Sequence, residues 1–188
     1  CNQRAKKFEG GQSCSALRMM KKVATFFKVS KEQFVNSYIG EFGCEKDVAE
    51  EIYQNIKLPK RATKGSAGYD FFSTVKVTLK KGESVKIPTG IRVKIDEGWV
   101  LQIFPRSGLG FKFRVQMNNT VGIIDSDYYN SDNEGHIFAK LTNDSNEDKT
   151  VTVHAGEGFM QGIFVQYGIT VDDEASAVRN GGFGSTTK

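Results

Sequence analysis

The period of the apolar residues changes once along this chain. Between Ser30 and Ile56 it is helical. Ser30 offers a helix start with Gln33 three residues on as a capping box, Phe34, Tyr38 and Phe42 follow at helical spacing, and Gly43 stops the run. A second stretch, EKDVAEEIYQNI, sets Val48, Ile52 and Ile56 on one stripe before Pro59 ends it. From Lys57 onward the period is two. STVKVTLK alternates Val75, Val77 and Leu79 with Lys76, Thr78 and Lys80, and KKGE supplies a turn. SVKIP, IRVKI, WVLQIF, HIFAKL, TVTV and GIFVQYGITV continue the alternation. Short strands at such spacing predict an all-β sandwich or barrel of the jelly-roll kind, with residues 20–56 as a small helical appendage packed on it. Residues 1–19 lack apolar periodicity and read as a leader, disordered or foreign to the natural chain.

Composition narrows the class. A chain of 188 residues, 38% hydrophobic, has material for one core, and its 20 Gly fit a fold rich in turns. Net charge is +4, from 26 basic and 22 acidic residues, an excess that suits a small anion and falls short of a dedicated nucleic-acid binder. Cys1, Cys14 and Cys44 match no zinc spacing, and His136 and His154 are too few for a histidine metal site. With neither a membrane-length apolar run nor a secretory h-region, the expectation is a soluble, cytoplasmic protein with no membrane partner.

Five stretches break the strand pattern with glycine and polar groups. GSAGYDFF (65–72) places Asp70 after a glycine-bracketed turn. PRSGLGFK (105–112) follows a proline with Arg106, Ser107 and Gly108; this is either an anion nest suited to phosphate or a glycine-rich turn with a surface arginine. In NNTVGIIDSDYYN (118–130), Asp125 and Asp127 flank a serine. They form a solvated turn, or they orient a water or hold a divalent metal through oxygen. Two carboxylates are too few for an all-protein Mg²⁺ cage, so the metal favoured is one carried in by a substrate's phosphates, while Asn119 offers an amide to a planar base edge. GEGFMQGIF (156–164) carries Gln161, a lone amide on an apolar strand of the sort that ordinarily caps backbone. The tail RNGGFGSTTK (179–188) is a frayed end or a flap that orders over a ligand. No Walker motif, nucleophile elbow or Ser-His-Asp set is present.

In their order and spacing these stretches resemble the five motifs of the trimeric deoxyuridine triphosphatases (dUTPases), over roughly residues 57–188. LPKRATKGSAGYD resembles motif one, PRSGLGFK motif two, NTVGIIDSDY motif three, GEGFMQGIF motif four and RNGGFGST motif five. The resemblance implies a dUTPase-like jelly roll (β-clip) at 57–178 with a flexible flap at 179–188. It also implies a homotrimer whose sites are shared between chains, and hydrolysis of dUTP to dUMP and pyrophosphate. Such an enzyme keeps uracil out of DNA and supplies dUMP for thymidylate synthesis.

By the same resemblance, Asp125 positions the water that attacks the α-phosphorus, and Asp70 helps order metal-bound water. Tyr128 packs on the deoxyribose and leaves no room for a 2′-hydroxyl. Asn119, with Gly122 and Ile124 of the surrounding hairpin, holds the uracil edge. Arg106, Ser107, Gly108 and Gln161 contact the phosphate chain, with Mg²⁺ held by the phosphates and water and by no protein ligand. Arg179 faces the γ-phosphate, Phe183 stacks over uracil, and the amides of Gly184, Ser185 and Thr186 close on the phosphates.

Three departures from the family pattern stand out. Motif five is one residue shorter between Arg179 and Phe183. Motif four has Gly158, Phe159 and Met160 where an arginine-led triplet is usual, and YNSDNEGH (129–136) lengthens the hairpin after Tyr128. Two other readings use the same fold, a dCTP deaminase and a nucleotide-sensing regulatory protein. The IDSDY stretch matches hydrolysis better than attack on the pyrimidine ring.

Overall fold

The period-two segments close into a barrel of the jelly-roll kind. The computed structural model describes residues 20–177 and 179–181; the expected leader at 1–19 lies outside them. The strands are β1 (Ala24–Lys28), β2 (Lys60–Arg61), β3 (Tyr69–Phe72), β4 (Val77–Leu79), β5 (Ser84–Pro88), β6 (Ile91–Ile95), β7 (Trp99–Pro105), β8 (Val115–Met117), β9 (Gly122–Ile124), β10 (Phe138–Asn143), β11 (Val151–Val153) and β12 (Gly158–Gln166). The helices are α1 (Lys31–Phe42), α2 (Lys46–Gln54) and α3 (Ser107–Phe113). The largest sheet has the order β2-β3-β12-β7-β9, a second has β5-β10-β8, and β11-β4 and β1-β6 form antiparallel pairs.

Alternation explains which face of each strand turns inward. Ile91, Val93 and Ile95 of β6 are buried while Lys94 is exposed, and Ala139 and Leu141 of β10 are buried while Lys140 is exposed. With Phe71, Leu101, Ile103, Phe159 and Met160 they make one apolar core. β12 ends at Gln166, short of the expected run to Val171, because its partner β7 begins at Trp99, opposite Gln166. PRSGLGFK, read as either an anion nest or a glycine-rich turn, carries the short helix α3, closed by Arg114 at φ 49°.

The N-terminal segment is not helical throughout. Ala24–Lys28 form β1, which pairs with β6, and Phe26 packs edge-on to Phe71 with ring centroids 5.6 Å apart. The β-branched and aromatic run ATFF favours an extended chain over a helix. Beyond it, Ser30 Oγ accepts the Gln33 N–H and caps α1, and Gly43 closes the helix at φ 64°. The apolar stripe of α2 runs through Ala49, Ile52, Tyr53 and Ile56, not through Val48, which is exposed. Ile56 and Val75 touch both this helical cluster and the barrel core. Gly90, at φ 70°, makes the close fit possible, since a Cβ there would lie 2.3 Å from Ile56 Cδ1.

The expected long hairpin at 129–136 is a compact turn. A 3₁₀ turn covers Ser126–Asn130, and Ser131 and Asn133 then fold the chain back through hydrogen bonds to the Tyr128 carbonyl and the Gly135 N–H. His136 ends this turn in the core. Its Nε2 accepts the Gly90 N–H at 2.9 Å, and its ring lies against Phe34 and Phe138. Burial pushes its pKa down to about 3, against the pull of the Glu134 charge. The unfolded chain therefore takes up a proton here below about pH 6.5, while the folded chain does not until far lower pH. Stability should fall by about 1.4 kcal/mol per unit as pH drops through that window. Denaturant unfolding at pH 7 and pH 5 should show this loss. His136→Gln should be less stable at pH 7 but flatter with pH, and an equally steep variant would contradict the assignment.

Candidate active site

Motif three is built on the edge strand of the largest sheet. Gly122 and Ile124 of β9 pair with Ile103 and Leu101 of β7, and a side chain at Gly122 would press on Ile103, 3.2 Å away. The hairpin before β9 turns through Thr120 at φ 64°, with its N–H on the Met117 carbonyl, and leaves Asn119 exposed at the rim. After β9 the 3₁₀ turn leaves Asp125 and Asp127 half-exposed and buries Tyr128. Together these elements bound a cavity of about 240 Å³ whose lining includes Asn119, Gly122, Ile124, Asp125, Tyr128 and Arg179.

The polar groups of this cavity are held firmly. Tyr128 Oη donates to the His136 carbonyl at 2.8 Å and accepts from Asn133 Nδ2 at 2.9 Å. Burial raises the Tyr128 pKa, with the Asn133 hydrogen bond and the Arg179 charge opposing it, so the ring is neutral at pH 7. Arg179 spans both carboxylates, Nη2 to Asp125 at 2.6 Å and Nε to Asp127 at 2.8 Å. Asp127, the second carboxylate of the IDSDY stretch, is thus half of a clamp on the arginine.

A second cluster holds the residues of motifs one, two and four. Asp70 on β3 and Gln161 on β12 are register partners, and Asp70 Oδ1 lies 3.3 Å from Arg106 Nε. Arg106 also donates to the Gly158 carbonyl at 3.2 Å. Two glycines make room here. A Cβ at Gly158 would lie 2.8 Å from Arg106 Nη1, and one at Gly68 would lie 2.8 Å from Gln161 Oε1. Ser107 and Gly108 open α3 beside Arg106 and are exposed.

The two clusters stand apart within one chain. Ile124 is opposite Leu101, whereas Arg106 follows the last residue of β7, five positions further on. Along β7 that offset is about 16 Å at the usual strand rise, and from Ile103, the partner of Gly122, it is about 10 Å. The structure thus gathers Asn119, Gly122, Ile124, Asp125, Tyr128 and Arg179 in one place, and Asp70, Arg106 and Gln161 in another. Phe183, Gly184, Ser185 and Thr186 lie outside the described residues.

Sequence reasoning missed Glu134, Arg92 and His136, which support the Tyr128 turn from behind. The available signal was Arg92 and Glu134, two charges placed where a strand and a tight turn should be bland. Among the described residues no helix is long and apolar enough to cross a membrane.

Comparison with known proteins agrees with this geometry. The dUTPase family model matches residues 54–187. The deoxyuridine 5′-triphosphate nucleotidohydrolase of Lactococcus lactis is 41% identical over 139 residues, covering 71% of this chain and 91% of its own. The crystal structure of a dUTPase from Streptococcus mutans superposes with a TM-score of 0.55 at 40% identity, over 64% of this chain and 91% of that one. The dUTPase of phage phi11 of S. aureus, whose structure details coordination of a structural Mg(II) ion, shares the fold at 24% identity and a TM-score of 0.53, over 66% and 92% of the two chains. With its motifs in order and its jelly roll in place, the chain belongs to the dUTPase family.

Proposed function

We propose that the protein hydrolyses dUTP to dUMP and pyrophosphate. The observation that carries this reading is the cavity where Asn119, Gly122, Ile124, Asp125 and Tyr128 converge, in a chain of this family. Its volume, about 240 Å³, suits a nucleoside more than a whole nucleotide, and the triphosphate projects past Asp125. Asn119 and the hairpin backbone hold the pyrimidine edge. The buried Tyr128 ring, pinned through its hydroxyl, forms a wall that cannot retreat from a 2′-hydroxyl.

Asp125 is the carboxylate that orients the attacking water and accepts its proton. Its ion pair with Arg179 occupies that carboxylate before substrate arrives. Transfer of Arg179 to the substrate's phosphates would release Asp125 for the water, so one movement binds anion and frees base. Arg106, Ser107, Gly108 and Gln161 take the phosphate chain, and Phe183 with the amides of Gly184, Ser185 and Thr186 completes the enclosure from the tail at 179–188.

The carboxylates stand singly or as the Asp125–Asp127 pair, a hard-oxygen donor set that fits a Mg²⁺ ion arriving on the phosphates with its water shell. Asp70 would hold such a water. The ion, when bound, supplies neutralisation of charge on the phosphate oxygens. The offset of about 16 Å along β7 between Leu101, the partner of Ile124, and Arg106 supports a homotrimer in which the Asp125 cluster of one chain meets the Arg106 cluster of another.

The direct test is pyrophosphate release from dUTP, UTP, dTTP and dCTP, with and without Mg²⁺. Preference for dUTP is expected, and ammonia release from dCTP would turn the assignment to a deaminase. Asp125→Asn should retain nucleotide binding while losing turnover by about 10²–10⁴-fold; a wild-type rate would remove Asp125 from the chemistry. Tyr128→Ala should raise kcat/KM for UTP relative to dUTP, and an unchanged ratio would show that the sugar is read elsewhere.

A further inference from the structure

Glu134 does not line the cavity, yet it is tied to both sides of the turn that carries Tyr128. Its carboxylate accepts the Ser30 N–H at 2.7 Å and the Ser30 hydroxyl at 2.6 Å. In a complete capping box Gln33 would return to that N–H. Here Gln33 donates to Ser37 instead, and Glu134 takes the place from 104 residues away. The same carboxylate faces Arg92 at 3.9 Å. Arg92 in turn donates to the Tyr129 carbonyl at 2.6 Å, and its guanidinium carbon lies 3.7 Å from the Tyr129 ring centroid.

The backbone transmits this hold to the cavity. Glu134 and Gly135 both have positive φ, and a Cβ at Gly135 would lie 2.7 Å from the Tyr128 carbonyl oxygen. The next residue, His136, offers the carbonyl that receives the Tyr128 hydroxyl. The hydrogen bonds from Ser30 and the Arg92 charge outweigh the effect of burial and keep the Glu134 carboxyl below its ordinary pKa, so the bridge is ionised at neutral pH.

We propose that Glu134 is a positioning residue for sugar selection. By joining the cap of α1 to Arg92 it holds the Tyr128 ring against the place of the 2′-carbon, so the N-terminal helices take part in discriminating deoxyribose from ribose. The proposal rests on the reading of Tyr128 as the sugar-facing wall.

The test compares kcat/KM for dUTP and UTP, together with Tm, in Glu134→Ala, Glu134→Gln, Ser30→Ala and Glu41→Ala. Glu41 is the control, because its 2.8 Å pair with Lys86 also fastens α1 to the barrel but does not touch the Tyr128 turn. Glu134→Ala should lower the dUTP:UTP ratio about tenfold, the scale of a lost charge-assisted hydrogen bond. Ser30→Ala should lower it less, Glu134→Gln should restore part of it, and Glu41→Ala should leave it unchanged while lowering Tm. An unchanged ratio in Glu134→Ala, or an equal fall in Glu41→Ala, overturns the proposal. Should Glu134→Ala fail to fold, an unchanged ratio in both Ser30→Ala and Glu134→Gln overturns it. A wild-type protein that hydrolyses no dUTP would defeat the functional reading itself, and the proposal with it.

Discussion

The register of β7 governs the molecule. It pairs with β12 from Trp99 through Pro105 on one edge and with β9 from Leu101 through Ile103 on the other. Its buried residues Val100, Leu101 and Ile103 hold that alignment, since a slip of one position would turn Leu101 and Ile103 out of the core. Both polar clusters depend on it. Arg106 stands where β7 ends, beside Asp70 and Gly158, and Asp125 stands where β9 ends, beyond Leu101. The register of β7 thus fixes where each polar cluster sits on the barrel.

A second layer stiffens the barrel from outside. β1 pairs with β6 and sends Phe26 against Phe71, while α1 and α2 enclose Phe34, Val35, Tyr38 and Ala49 and reach the barrel through Ile56 and Val75. The contact is close enough that Gly90 has no room for a side chain. Behind the Tyr128 turn lie Phe34, His136 and Glu134, so one side of the cavity beside Tyr128 is backed by this layer and not by solvent.

Much of this was legible in the residues. Alternation marked the principal strands, because one face of each meets the core, and the Ser30 cap and Gly43 stop marked α1. The residues of motif three came together in one cavity because they are local in sequence and share one hairpin and one turn. What escaped was non-local. ATFF fell within the expected helical appendage at 20–56 because its partner, Ile91–Ile95, lies more than sixty residues on. The helix in PRSGLGFK escaped notice because its glycines suit a turn or an anion nest as well as a short helix. Glu134 looked like a loop acid, since nothing within its own turn shows that Ser30 is its partner. Val48 misplaced the α2 stripe because helical spacing alone fits both the Val48 and the Ala49 faces.

The Ser30–Glu134 bridge also bears on how the chain is made. During synthesis α1 leaves the ribosome long before residue 134 exists, so it must wait without its tertiary cap for most of the chain's translation. Phe34 and Tyr38 meanwhile lack the barrel that covers them, and β1 lacks β6. An isolated helix of this length is marginal in water, and α1 gains its tertiary cap only once the turn carrying Tyr128 has been made. Helix α1 is made early and gains its partners late. The Ser30–Glu134 bridge forms only with the turn carrying Tyr128 in place, so it joins the earliest-made element of the barrel's outer layer to one of the latest.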